Sequence, residues 1–329
     1  MGYSAAGRDA QHQALERALT EVHVQGLEDR RGEVATYIPE LATVPADRFG
    51  LAVASVEGRL WHRGDATAEF TIQSVSKAFS YCLALEICGR ETVMQQVGVE
   101  PSGDAFNAIV FNPHTNRPFN PMVNAGAITV AALIQRWLGG DALDTVLERL
   151  SLAAGRKLGI SEPVYRSEAA TGHRNRAIAY LLVNAGAAAE PVEPALDLYF
   201  RLCSVLVSAT DLARMGATLA NLGENPFTGE QVFDAGAVRD TLSVMFSCGM
   251  YDSSGRWAVD VGIPAKSGVG GGMVGVVNRQ LGIGTFSPRL DGHGHSVRGL
   301  AAFGQLSSEF GLHAFDCLNY GSEYARGLV

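Results

Sequence analysis

The chain has 329 residues, a formal charge of −8, 47% hydrophobic and 18% charged residues. That balance predicts a buried core of one large domain or two intimate subdomains and argues against a disordered chain. No Lys/Arg-rich run provides the electrostatic footprint of nucleic-acid or anionic-membrane binding, and no apolar stretch is long enough to span a bilayer.

In chain order, residues 9–26 show helical periodicity through Leu15, Leu19 and Val22, with Gly26 as a stop. Tyr37-Ile38-Pro39-Glu40-Leu41 reads as a loop. Residues 51–56 read as a strand, Glu57-Gly58 as a turn, and Arg59-Leu60-Trp61 as the returning strand. Glu69-Phe70-Thr71-Ile72-Gln73 leads into Ser74, and an apolar helix follows to about Cys88, ended by Gly89. The chain is then mainly helical to about Leu222. Residues 125–138 form one helix, and Asp141 is placed to cap the next. Residues 174–182, 194–204, 210–222 and 235–246 are further helices. Strand character returns at Trp257-Ala258-Val259, at residues 264–269, and in a hairpin of 274–277 with 281–286. A last helix spans 297–310.

Strands, a helical middle, then strands and a helix predict a sheet built from both ends of the chain with a helical insertion. The expected organisation is a single domain over 1–329. Its α/β subdomain is discontinuous, at about 1–80 and 225–329, and its helical subdomain covers about 81–224.

The cysteines are Cys82, Cys88, Cys203, Cys248 and Cys317, with no C-x-x-C pair. An odd, scattered set predicts reduced thiols, and neither a disulfide framework nor a zinc knuckle. Residues 1–8 show no apolar run after a basic start, so a cytoplasmic location is expected.

Chemistry concentrates in two motifs. Ser74-Val75-Ser76-Lys77 is an S-x-x-K, and on a helix positions three apart share a face. A neutral lysine there can take the serine proton, and burial or a nearby cation lowers its pKa for that task. Ser76 points elsewhere and is the poorer candidate. Standing alone the motif is common, and a capping serine with a solvated lysine explains most occurrences. The second motif is Lys266-Ser267-Gly268-Val269-Gly270-Gly271-Gly272. K-S-G lies beside the nucleophile in penicillin-recognising serine enzymes. Gly268 allows close backbone approach, and the N–H groups of Val269 and Ser74 can form an oxyanion hole.

Gly270, Gly272 and Gly275 also satisfy G-x-G-x-x-G. That fingerprint must open a helix, whereas Val274-Gly275-Val276-Val277 reads as strand, so a dinucleotide role is rejected. The third element of penicillin-recognising sites, S-x-N or Y-x-N, is missing, and a tyrosine is the natural substitute. His293 and His295 have metal-like spacing but read as a polar loop, and the chemistry needs no metal.

Several separated motifs, in order, resemble the bacterial-type glutaminases. They are Tyr37-Ile38-Pro39-Glu40-Leu41-Ala42, Gln73-Ser74-Val75-Ser76-Lys77, Asn120-Pro121-Met122-Val123-Asn124-Ala125-Gly126-Ala127, Arg166-Ser167-Glu168 with Asn175, Tyr199-Phe200, Ser247-Cys248-Gly249-Met250-Tyr251, and Ala265 to Gly272. The resemblance covers about residues 33–309, and Phe111-Asn112-Pro113-His114-Thr115-Asn116-Arg117 departs from it.

The resemblance implies a β-lactamase/penicillin-binding-protein-like α/β (α+β) fold, an antiparallel sheet flanked by helices plus a mainly helical subdomain. It implies glutamine hydrolysis through a Ser74 acyl-enzyme, with Lys77 as general base; Lys266 of the K-S-G motif would supply positive charge to the substrate carboxylate or to the proton network. Asn124, Glu168, Asn175, Tyr199, Tyr251 and Val269 would bind L-glutamine: the carboxylate suits its ammonium, the amides and a tyrosine its carboxylate. Tyr199 or Tyr251 would relay the proton to ammonia. No cofactor is implied, and a homo-oligomer, dimer or tetramer, is. A serine β-lactamase or cell-wall peptidase and a non-catalytic amino-acid-binding module stand as alternatives.

Overall fold

Alternation along one strand, β1 (Gly50–Ser55), divides the protein into two cores. Leu51 and Val53 pack with Leu19, Val22, Phe303 and Leu306, while Ala52 and Ala54 pack with Ala213 and Ala217. Side chains alternate faces along a strand, so one face carries bulk and the other carries small residues. The computed structural model describes residues 5–104 and 107–316. Cys317 lies outside the described residues.

The remaining strands are β2 (Leu60–Gly64), β3 (Phe70–Thr71), β4 (Gly159–Ile160), β5 (Val205–Val207), β6 (Ala265–Ser267), β7 (Gly272–Val277) and β8 (Leu281–Phe286). Four of them join β1 in a five-stranded antiparallel sheet in the order β2-β1-β8-β7-β6. Thus β1, near the start, pairs with β8, near the end, in the register Gly50 to Phe286 and Ser55 to Leu281. A small sheet, β3-β5-β4, supports the segment before Ser74, and Ile72 N donates to Val205 O at 2.8 Å.

The helices Ala5–Glu28 and Val297–Phe310 cover the bulky face of the large sheet. The helix Ala209–Ala220 lies on the other face, close enough to exclude side chains from β8. A Cβ on Gly284 would stand 2.1 Å from the Ala209 carbonyl oxygen, and one on Gly282 would stand 2.1 Å from Ala217 N. Both neighbours are backbone and cannot swing aside. Gly284→Ala is therefore expected to destabilise the fold by about 2–3 kcal/mol, read as a lower denaturant midpoint. An unchanged midpoint would contradict this packing.

The helical middle surrounds the helix Ser76–Ile87, which is buried from Ser76 to Leu85. Asn124–Leu138 and Ala235–Cys248 pack against it, and Glu193–Cys203 packs in turn on Asn124–Leu138. Phe70, Ile72, Val274 and Phe286 from the strands share one continuous core with Leu83, Ile128 and Leu212 from the helices. Cys82, Cys88, Cys203 and Cys248 are free and buried. No helix among the described residues is long and apolar enough to cross a membrane.

Three local expectations differ from the structure. Trp257-Ala258-Val259 lies in the helix Ser254–Asp260, not in a strand. Pro39–Ala42 forms a short helix with proline in its first turn, where a missing N–H costs nothing. Asp141 precedes the helix Ala142–Ala154 but makes no side-chain cap: the turn Gly139–Asp141 holds it at φ −87°, ψ −1°, outside the extended region that capping requires.

Candidate active site

Ser74 stands at the junction of both structural halves. It follows β3 and lies in the single 3-10 turn Gln73–Val75, from which the helix Ser76–Ile87 continues. Gln73 has φ 48°, in the left-handed region that non-glycine residues adopt only when their surroundings hold them there. The strained residue directly before Ser74 presents its hydroxyl at the end of the small sheet. Ser76 is occupied otherwise, donating to Gln73 O at 2.8 Å.

The segment after β6 runs against this turn. A Cβ on Gly268 would stand 3.0 Å from Ile72 O and 3.3 Å from Ser74 N, and one on Gly270 would stand 2.6 Å from Thr71 O. The glycines of K-S-G-V-G thus let two backbones touch. Among the described residues, the N–H of Val269 has no hydrogen-bond acceptor. G-x-G-x-x-G here is the turn into β7, with no helix following it.

Two buried lysines flank the serine. Lys77 is 1% exposed, and its Nζ donates to Asn124 Oδ1 at 2.6 Å. It also lies 5.9 Å from the centre of the Tyr199 ring. Burial penalises its charged form and lowers its pKa to about 8. Lys266 is fully buried, and its Nζ donates to the Tyr251 hydroxyl at 2.7 Å and to Ser267 O at 2.6 Å. Its amine is held well below the ordinary lysine range, by burial first and by the charge of Lys77 second.

Tyr251 stands beside both Lys266 and the serine. Its hydroxyl donates to Ser267 O at 3.3 Å, and Ser74 lies close enough to favour the ionised tyrosine against burial. Burial holds its pKa above the ordinary tyrosine range. Tyr251 also has positive φ, at 54°. Tyr251 and Lys266 form a bonded pair beside Ser74, while Lys77 is bonded to Asn124 and not to Ser74.

Two further polar groups complete the surroundings. Asn124 Nδ2 donates to Asn175 Oδ1 at 3.0 Å. Glu168, on the helix Glu162–Thr171, is 7% exposed, and its Oε1 accepts from the Tyr37 hydroxyl at 2.7 Å. Burial raises its pKa, against the opposing bonds from Tyr37 and Gln73. Tyr199 is buried and bonded to Cys203. Its hydroxyl is pushed well up by burial, and the Cys203 thiol is pushed up to about 12 by the same cause. That thiol behaves as a small hydrophobe.

Hydrogen bonds thus join Lys77, Asn124 and Asn175 in one chain, Lys266, Tyr251 and Ser267 in a second, and Glu168 with Tyr37 in a third, while Gly268 packs on the Ser74 turn. Sequence reasoning assigned no role to Tyr37 or Gln73, although both bond Glu168. Adjacency to Ser74 was the available signal for Gln73. Tyr37 is 131 positions from its partner and offered no signal beyond its place in a family-like segment. His293 pairs with Asp252 at 2.9 Å and His295 with Ser267 at 2.7 Å. Among the described residues, no three His, Cys, Asp or Glu groups converge as a metal site would require.

Comparison with known proteins accords with this geometry. The family profile described as Glutaminase matches residues 32–315. A glutaminase of Microcystis aeruginosa is 50% identical over 298 residues, 91% of this chain and 88% of that protein. Glutaminase 2 of Bradyrhizobium diazoefficiens is 54% identical over 299 residues, 91% of this chain, which spans about half of that longer relative (48%). Among solved structures, the probable glutaminase ybaS superposes with a TM-score of 0.87 at 37% identity, covering 92% of this chain and 98% of that one. The structure described as Mglu in its native form superposes with a TM-score of 0.86 at 43% identity, over 92% and 73% of the two chains. The antiparallel sheet flanked by helices is the β-lactamase-like fold of these glutaminases. The chain belongs to the glutaminase family and is an enzyme of that class.

Proposed function

We propose that the chain hydrolyses L-glutamine to L-glutamate and ammonia through an acyl-enzyme on Ser74. One observation carries the reading: Tyr251, beside Ser74, receives a hydrogen bond from the buried Lys266, and a second buried lysine, Lys77, lies within one turn of Ser74. Lys77, with a pKa brought down to about 8, is the general base. The Ser74 oxygen attacks the side-chain amide carbon. The oxyanion takes the N–H groups of Ser74 and Val269. Tyr251 gives its own hydroxyl proton to departing ammonia and recovers one from the water that attacks the acyl-enzyme, a role its bond from Lys266 supports over Tyr199. Water then releases glutamate.

The amino-acid end of the substrate falls to Glu168, Asn124, Asn175 and Tyr199. A buried carboxylate bonded by Tyr37 is a strong partner for the α-ammonium. Glu168→Gln is accordingly expected to raise KM for glutamine by about 10–100-fold with a smaller change in kcat. An unchanged KM would place the ammonium elsewhere.

The test of the reading is ammonia release by the purified protein from L-glutamine, with L-asparagine as control. Absence of glutamine turnover by folded protein would overturn it. The same proposal includes one domain with a discontinuous α/β part, a homo-oligomer and a cytoplasmic site of action. The continuous core supports the first, and buried reduced thiols support the last. Exposed Trp137, Tyr180 and Leu181 supply apolar surface for subunit contact. Sedimentation velocity would read the oligomeric state.

A further inference from the structure

Tyr251 poses a problem that the site alone does not solve. It sits in the 3-10 turn Tyr251–Ser253 with positive φ, and such a conformation persists only where neighbours enforce it. Its hydroxyl must nevertheless stay within reach of both Ser74 and Lys266. The side chain stacked against it is His295. The two rings lie 5.6 Å apart between centroids and 12° from parallel.

His295 is itself rigidly held. It is 1% exposed, and Asp291 Oδ1 accepts from the backbone N–H groups of both His293 and His295 at 2.9 Å. Asp291 N donates to His295 O at 2.8 Å, and the next residue, Ser296, caps the helix Val297–Phe310. The ring has one polar anchor: Nδ1 lies 2.7 Å from Ser267 Oγ, and Nε2 is buried with no partner among the described residues. Ser267 is the residue whose carbonyl oxygen accepts from Lys266 at 2.6 Å and faces Tyr251 at 3.3 Å. His295 also borders a cavity of ≈ 1130 Å³ between residues 31–36 and the helix Ser254–Asp260, a cavity that Ser74, Lys77 and Glu168 do not line. The imidazole is thus a wall between that space and the back of Tyr251.

We propose that His295 is a positioning residue for the chemistry at Ser74, fixing the Tyr251 ring by stacking and the Ser267 peptide by its Nδ1 bond. The inference rests on the assignment of Tyr251 as the proton-handling group. Burial lowers the imidazole pKa to about 4, so the ring stays uncharged at neutral pH and adds no positive charge beside Lys266 and Lys77. Removing it lets water from the cavity reach the back of Tyr251 and frees the ring to leave the Ser74–Lys266 line.

Three variants separate the two contacts. His295→Phe keeps a ring against Tyr251 and deletes the bond to Ser267. His295→Asn keeps a polar atom close to the Nδ1 position and deletes the ring. His295→Ala removes both. In the full-length protein, His295→Ala is expected to lower kcat for glutamine about 30-fold or more while KM moves less than about threefold. His295→Phe and His295→Asn should each recover part of that loss. A kcat of His295→Ala within threefold of the parent, or equal losses in all three variants, would overturn the proposal. If the alanine variant does not fold, parental kcat in both other variants overturns it equally. Tyr251→Phe distinguishes the layers. Parental turnover there removes the assignment of Tyr251 and this inference with it. Slow turnover there beside normal turnover in the His295 variants removes the inference alone.

Discussion

Ser74→Ala is expected to cut ammonia release from L-glutamine by at least about 10⁴-fold, leaving only what binding and the oxyanion donors achieve without a nucleophile. The substitution deletes one hydroxyl from a nearly closed site and adds no bulk. The Lys266–Tyr251 bond and the Lys77–Asn124 bond do not involve the deleted atom. Thermal unfolding should therefore hold within a few degrees, which separates loss of chemistry from loss of fold. Glutamine should still bind, visible by calorimetry without turnover. Residual turnover above one part in a hundred would remove Ser74 from the nucleophilic role and point to direct attack by water.

Lys77→Ala should lower kcat by about 10³-fold, the usual range for a positioned general base. Lys77→Arg is the sharper probe, because guanidinium keeps its charge and cannot accept a proton at any working pH. It should be as slow as the alanine variant, whereas a purely electrostatic role would let arginine rescue. The pH profile carries the same assignment. The base must be neutral, and burial has lowered the Lys77 pKa from the ordinary lysine range to about 8. The active fraction therefore rises as pH increases through about 8, and kcat should climb on that limb. At the acid end, protonation of Glu168 removes the partner of the substrate ammonium, so KM should rise as pH falls through the raised carboxyl pKa. A kcat flat from pH 6 to pH 9 in the parent enzyme would exclude Lys77 as the base.

The elements most legible in the sequence were those whose periodicity is unbroken. The hairpin of β7 and β8 and the helix Val297–Phe310 fall where apolar spacing placed them. Trp257-Ala258-Val259 failed for a definable reason. Three apolar residues fit either period, and only burial distinguishes them. A strand would put Trp257 and Val259 on one face, but Trp257 is 4% exposed and Val259 is 77% exposed, as a helix requires. In the proposed site, Ser74, Lys77 and Lys266 stand out in the sequence because the chemistry demands those side chains in short motifs. Tyr37, Gln73 and His295 do not. Each acquires its role from a partner brought close by folding, and Tyr37 meets Glu168 only because the 30s segment is fastened elsewhere. Backbone bonds join Glu33 and Leu290 in both directions, and the buried guanidinium of Arg298 donates to the carbonyls of Asp29 and Asp47.

The pairing of β1 with β8 also sets when the enzyme becomes one. During synthesis Ser74 and Lys77 leave the ribosome early, but β1 then has only β2 beside it, and a two-stranded hairpin is barely stable in water. The central neighbour of β1 arrives more than two hundred residues later, and Tyr251, Lys266 and the Val269 N–H come in the same late stretch. Closing so long a loop before its contacts repay the lost entropy makes folding slow and late. Under the proposed mechanism the nascent chain then holds Ser74 and its base Lys77 without Tyr251, Lys266 and the Val269 N–H, so the site is complete only after these late segments have docked.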